Sequence, residues 1–220
     1  MKKILIIVIC LYTILLTACG TSDKESTKSN IIPTQKPVSA PTTEPTQSPN
    51  QNILPEQADF RNIKWGMSMA EVKAAEGETD LVTTDALIYD GLNVAGIDVM
   101  LIYYFNENDQ LYSAIYSFEE THVNKNDYIY DYEKVVKALT EKYGEPINSD
   151  TIWKDDLYKD EPTEWGMAVS AGHMTMFAKW ETENTNIAIF LSGDNFEIST
   201  MIGYESKTIP PKKTDITEGL

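Results

Sequence analysis

Proline recurs at 33, 37, 41, 45 and 49, one residue in four, inside a stretch from Thr21 to Asn52 made mostly of Thr, Ser, Pro, Gln and Asn. Proline fixes φ and removes a backbone donor, so no regular helix or central strand runs through such a segment. With almost nothing to bury, the segment cannot offset its own ordering entropy. Any core must therefore come from the residues beyond it. The expected division is a disordered Ser/Thr/Pro-rich linker over 19–56, a single folded domain over 57–207 and a flexible tail over 208–220. The middle span is long enough for one sizeable core and too short for two comfortable ones. As a flexible coil the linker would reach about 35 Å, and about 120 Å if fully extended.

Ahead of the linker, Lys2 and Lys3 precede an apolar run from Ile4 to Leu16. That run is shorter than the roughly 20 residues a membrane-crossing helix needs and has the proportions of a secretory signal. Its exit, Leu16-Thr17-Ala18-Cys19, resembles the lipobox of bacterial lipoproteins. The resemblance implies that residues 1–18 are a signal peptide and that Cys19, joined to diacylglycerol, becomes the first residue of the mature chain. The protein would then be held on the extracytoplasmic face of the cell membrane. Two buried acyl chains contribute on the order of 20 kcal/mol toward such anchoring. The other cysteine, Cys10, lies within the segment to be removed, so the exported domain would contain no internal disulfide.

From Glu56 onward 31 Asp and Glu face 13 Lys and Arg, a balance of −18. This excludes nucleic acid as a partner, since phosphate binding needs a basic footprint. Repulsion from an anionic membrane is screened within about 8 Å at physiological salt, so the anchor prevails.

Within the domain, Ser68 and Glu71 form a capping box, Met69, Val72 and Ala75 share one side of a turn, and Gly77 ends a short helix. Residues 95–105 and 111–120 read as two strands joined by the reversal Asn106-Glu107-Asn108-Asp109. A longer helix spans 127–143, with Ile129, Tyr132, Val136, Leu139 and Tyr143 on one stripe, stopped by Gly144 and Pro146. Residues 173–181, 186–192 and 196–205 are again strand-like. In the first of these, Met174, Met176, Ala178 and Trp180 alternate with His173, Thr175, Phe177 and Lys179. Trp-Gly-Met occurs at 65–67 before a helix and at 165–167 before an expected strand, so the repetition is read as coincidence. The expected fold class is α+β: two helix-plus-antiparallel-strand units forming one antiparallel sheet, with helices packed on one face.

Gly66-Met67-Ser68, Glu71-Val72 and Gly77, with Lys142-Tyr143-Gly144-Glu145-Pro146 closing the second helix, resemble the helical openings of small outer-membrane-assembly lipoproteins. They are similar also to the repeats of the β-lactamase inhibitory protein fold. That resemblance implies a non-catalytic domain that grips another protein with an exposed, aromatic-bearing sheet face.

Chemistry-bearing residues are few. His122 and His173 would need converging carboxylates to act in a hydrolase. The acidic run Asp155-Asp156 and Asp160-Glu161 lacks the glycine that bends a calcium loop. No metal site and no cofactor are expected. Tyr112, Tyr116 and Phe118 alternate along one strand, and Phe177 and Phe190 lie on two others; rings of this kind supply rigid contact area where proteins bind. The expected function is a membrane-anchored, non-catalytic binding domain for a protein, peptide or wall polymer. Two rivals remain: a surface hydrolase using His122 or His173 with carboxylates, and an inhibitor of a secreted enzyme.

Overall fold

Alternating apolar residues between 97 and 118 build the hairpin read from the sequence: β3 (Ile97–Phe105) pairs antiparallel with β4 (Leu111–Phe118). The turn is held by the Asn106 side chain, whose Oδ1 accepts from the amides of Asn108 and Gln110. In the computed structural model, residues 58–213 are described. Cys19, the linker and residues 214–220 lie outside them. The remaining strands are β1 (Leu81–Val82), β2 (Ala86–Val94), β5 (Asn148–Trp153), β6 (Met174–Glu181), β7 (Thr185–Asp194) and β8 (Glu197–Ser206). All eight join one antiparallel sheet in the order β1-β2-β3-β4-β8-β7-β6-β5. With helices α1 (Met69–Glu76), α2 (Asp127–Tyr143) and α3 (Trp165–Ser170), the fold is α+β.

One face of the sheet carries the main core. Leu101, Tyr103, Ala114, Tyr116, Ile202, Tyr204, Ile189 and Ala178 lie in register across β3, β4, β8, β7 and β6. They cluster with Val72 of α1, with Ile129, Tyr132, Val135 and Leu139 of α2, and with Ala168 and Val169 of α3. Each large aliphatic side chain removed from water here contributes about 1.5–3 kcal/mol. The capping box at Ser68 and Glu71 is present, and the Met69 amide donates to Asp109 Oδ1 of the β3–β4 turn at 3.1 Å. That contact ties the start of α1 to the hairpin.

Several elements differ from the sequence reading. Ala75 is exposed, and Glu76 is the residue of α1 that turns inward. Val135 joins the α2 stripe in the core. β1, β2 and β5 are additional strands, β5 being largely exposed. The second Trp-Gly-Met opens α3, a short helix, before the next strand. The expected tail is held to the domain as far as Lys213: Asn106 Nδ2 donates to the Pro210 carbonyl at 3.1 Å, and Lys212 Nζ lies 2.9 Å from Asp85.

α3 is wedged between the start of α2 and β7 by backbone-to-backbone packing. A Cβ on Gly166 would lie 2.2 Å from the Lys125 carbonyl carbon, and one on Gly193 would lie 2.2 Å from the Val169 oxygen. Asn126 completes the wedge, accepting from the Gly166 amide and donating to the Thr163 carbonyl.

Candidate functional site

Strand alternation places a second set of side chains on the face opposite the helices. Across β2, β3, β4 and β8 the row Ile88, Ile102, Ile115, Gly203 runs in register, continuing to Ala188 on β7 and Lys179 on β6. The neighbouring row is Met100, Ser117, Met201, Phe190 and Phe177. Ile88, Ile102, Ile115, Phe190 and Met201 are buried, while Met100, Phe177, Ala188 and Gly203 are half-buried. Phe177 and Phe190 stack with centroids 6.2 Å apart, and Lys179 Nζ stands 5.4 Å over the Phe177 ring.

The five aromatics singled out from the sequence thus part company. Phe177 and Phe190 share this second face. Tyr116 is in the helix-side core, where its ring meets Phe60 and Tyr204 and its hydroxyl accepts from Arg61 Nη1 at 3.3 Å. Phe118 is half-buried and packs against the same core. Tyr112 falls at a bulge: Phe105 pairs with Leu111 and Tyr104 with Ser113, leaving Tyr112 as the extra residue. The bulge shifts the phase, so Leu111, and not Tyr112, joins Ala114 and Tyr116 in the core. A period of two read through 111–118 could not reveal this shift.

Two polar groups on the second face were not found by sequence reasoning. The Tyr104 hydroxyl is buried without a hydrogen-bond partner among the described residues, and burial pushes its pKa up to about 12. Glu205, two strands away in the same row through Ser113, has its carboxyl pKa raised by burial alone. Only the alternation of β8 could have placed it there. Raising a carboxyl's pKa means that folding favours the protonated form. The stability it contributes is full below the ordinary value of 4.5 and is lost as pH rises through the folded value. Glu205→Gln is therefore expected to be more stable than the parent near neutral pH and to show a flatter stability profile between pH 4 and 8 in urea titrations. A less stable variant at pH 7 would mean that the carboxylate has a partner.

The histidines stand apart from this face. His122 Nε2 lies 2.6 Å from Asp131 Oδ2, its ring sits edge-on to Tyr128 at 4.7 Å, and its amide donates to the Tyr128 hydroxyl. These contacts fasten the segment before α2 to the first turns of that helix. His173 stacks on Tyr158 at 5.8 Å, and its Nδ1 is 4.0 Å from Asp155, too long for a hydrogen bond. His122 thus meets one carboxylate and His173 none at hydrogen-bond distance, where a hydrolytic site would bring two groups to the same point. Among the described residues no group of three His, Cys, Asp or Glu could hold a metal ion, and no helix is long and apolar enough to cross a membrane.

No protein-family model matches the chain, and no curated protein matches it either. Among solved structures it is similar to a DUF4309 family protein, YjgB, from Bacillus subtilis subsp. subtilis strain 168. The likeness covers 64% of this chain and 78% of that one at 11% identity, with a TM-score of 0.32.

Proposed function

We propose that this protein is a lipid-anchored, extracytoplasmic binding domain without catalysis of its own, which holds a protein or peptide on the side of its sheet opposite the described helices. The observation that carries this reading is the apolar patch toward the β5 edge of the second face, where half-buried Phe177 stacks on Phe190, while the three helices of the described residues pack on the other side. We read the domain as two units, α1 with β1–β4 and α2 with β5–β8, joined where β4 meets β8. Pairing the units edge to edge makes the sheet broad enough to receive a partner across several strands. The lipobox and linker fit this role: Cys19 would hold the domain at the membrane, and the linker would let it reach outward.

Phe177→Ala is expected to reduce partner capture in a pull-down at least tenfold with an unchanged circular dichroism spectrum. Tyr130→Ala, at an exposed position of α2, should leave capture intact. Phe190 is the poorer test because it is buried, and its truncation would also unsettle the sheet. Equal capture by wild type and Phe177→Ala would rule out this face. Intact-mass measurement of the native protein addresses the anchor separately, the expected species beginning at a diacylated Cys19.

A further inference from the structure

The two-residue β7–β8 reversal departs from the local chemistry that its geometry favours. Asp194 pairs with Glu197, and the two residues between them, Asn195 and Phe196, both have positive φ, +50° and +66°. This is the type I′ pattern, in which the second central position strongly favours glycine. The β2–β3 hairpin obeys the rule, with Ala95 and Gly96 at +53° and +79°. At the β7–β8 tip the chain instead places a phenylalanine, whose Cβ makes that conformation costly. Packing does not offset the cost, because Phe196 is 65% exposed. The tip is nonetheless held firmly: the Phe196 amide donates to the Ser170 carbonyl at 2.9 Å, and Gly193 lets the base of the hairpin close against Val169 of α3. A large exposed ring retained at a strained position on a fixed mount is shaped for contact with something outside the domain.

We infer that Phe196 is an anchor that inserts into an apolar pocket of a partner protein, and that the pocket is rimmed by lysine or arginine. The second half rests on charge. Asp194 and Glu197 stand directly opposite one another at the base of the turn, both exposed, a like-charged cross-strand pair that is unfavourable by itself and is relieved by a cation from the partner. A basic rim also suits the ring, since a guanidinium or ammonium group over an aromatic face is attracted to it. This rests on the binding role proposed above and adds a second contact, at the hairpin tip, together with the chemistry of the partner.

The test uses the full chain in three measurements: melting, crosslinking and capture in a pull-down. First, Phe196→Gly relieves the strained φ, so the melting temperature should rise by about 3 °C; a fall would show that Phe196 serves the fold and would overturn the inference. Second, a photo-crosslinking residue at 196 should join a discrete partner in a cell-envelope extract, with Val123, fully exposed before α2, as the control position. The crosslinked peptide should contain apolar residues flanked by Lys or Arg. Capture should drop at least tenfold in Phe196→Gly and in Asp194→Asn/Glu197→Gln, and remain unchanged in Glu119→Gln/Glu120→Gln. An acidic crosslinked surface, no adduct beyond the Val123 control, or equal losses in both charge variants would overturn it. Loss with Phe177→Ala but not with Phe196→Gly would sink this inference and leave the sheet-face reading standing; the reverse would do the opposite.

Discussion

Gly193→Ala is expected to destabilise the domain by about 3 kcal/mol or more, the upper end of what a forced overpacking costs. The Cβ would arrive 2.2 Å from the Val169 oxygen and 2.9 Å from the Ser170 Cα, backbone atoms that no rotamer change can move aside. Relief requires α3 to lift from β7. Gly166→Ala should act with similar size from the other side of the same helix, against the backbone of Lys125 and Asn126. Because both substitutions displace one element, the double variant should lose less than the two losses added together. Urea denaturation of the three variants measures this. A loss under about 0.5 kcal/mol for either single variant, the range of an ordinary surface change, would mean that α3 is not wedged.

The second large effect concerns a polar cluster at the margin of the apolar core. Arg61 meets Glu76 with both prongs, Nε to Oε1 and Nη2 to Oε2, each at 3.0 Å. Tyr103, fully buried, donates its hydroxyl to Glu76 Oε1 at 2.7 Å. The Glu76 side chain is only 6% exposed, whereas that of Arg61 is 36% exposed. Removing one partner of a fully buried pair costs roughly 3–5 kcal/mol. Solvent access on the Arg61 side lowers that figure, so Arg61→Ala is expected to lose about 2 kcal/mol. Adding Glu76→Gln should recover part of the loss, because no uncompensated charge then stays in the core. Burial, with the Glu76 carboxylate beside it, raises the Tyr103 pKa, so the phenol remains a donor well into the alkaline range. If the double variant proves less stable than Arg61→Ala, Glu76 is held by something other than this pair.

The parts of the molecule legible from sequence were those in which one periodicity dominates. α2 shows its stripe over seventeen residues, and β3, β4, β6, β7 and β8 alternate clearly enough to be found. β5 was missed because Asn-Ser-Asp-Thr-Ile-Trp forms a polar edge strand with little to bury. β2 was missed because the register shift between Tyr89 and Leu92 breaks its alternation. α3 has only six residues, too few for a helical period, and is fixed by glycine contacts that are long-range. The same reasoning separates the aromatics. Phe177 and Phe190 lie in regular strands, whereas one bulged residue altered the facing of Tyr112 relative to Tyr116. Glu76 looked like an ordinary helix-surface acid, since its partners come from positions 61 and 103.

The sheet order has a consequence for how the molecule comes into being. β8 is the last of the described strands to be synthesised, yet it lies between β4 and β7, and its pairings with β4 join residues 84 to 92 positions apart. Until residues 197–206 have emerged, the first four strands and the three others end in open edges and no continuous sheet can exist. A chain emerging N-terminus first can pair β1–β4 and then β5–β7 as separate ribbons, but cannot join them. β8 then supplies the seam that closes the two ribbons into one sheet.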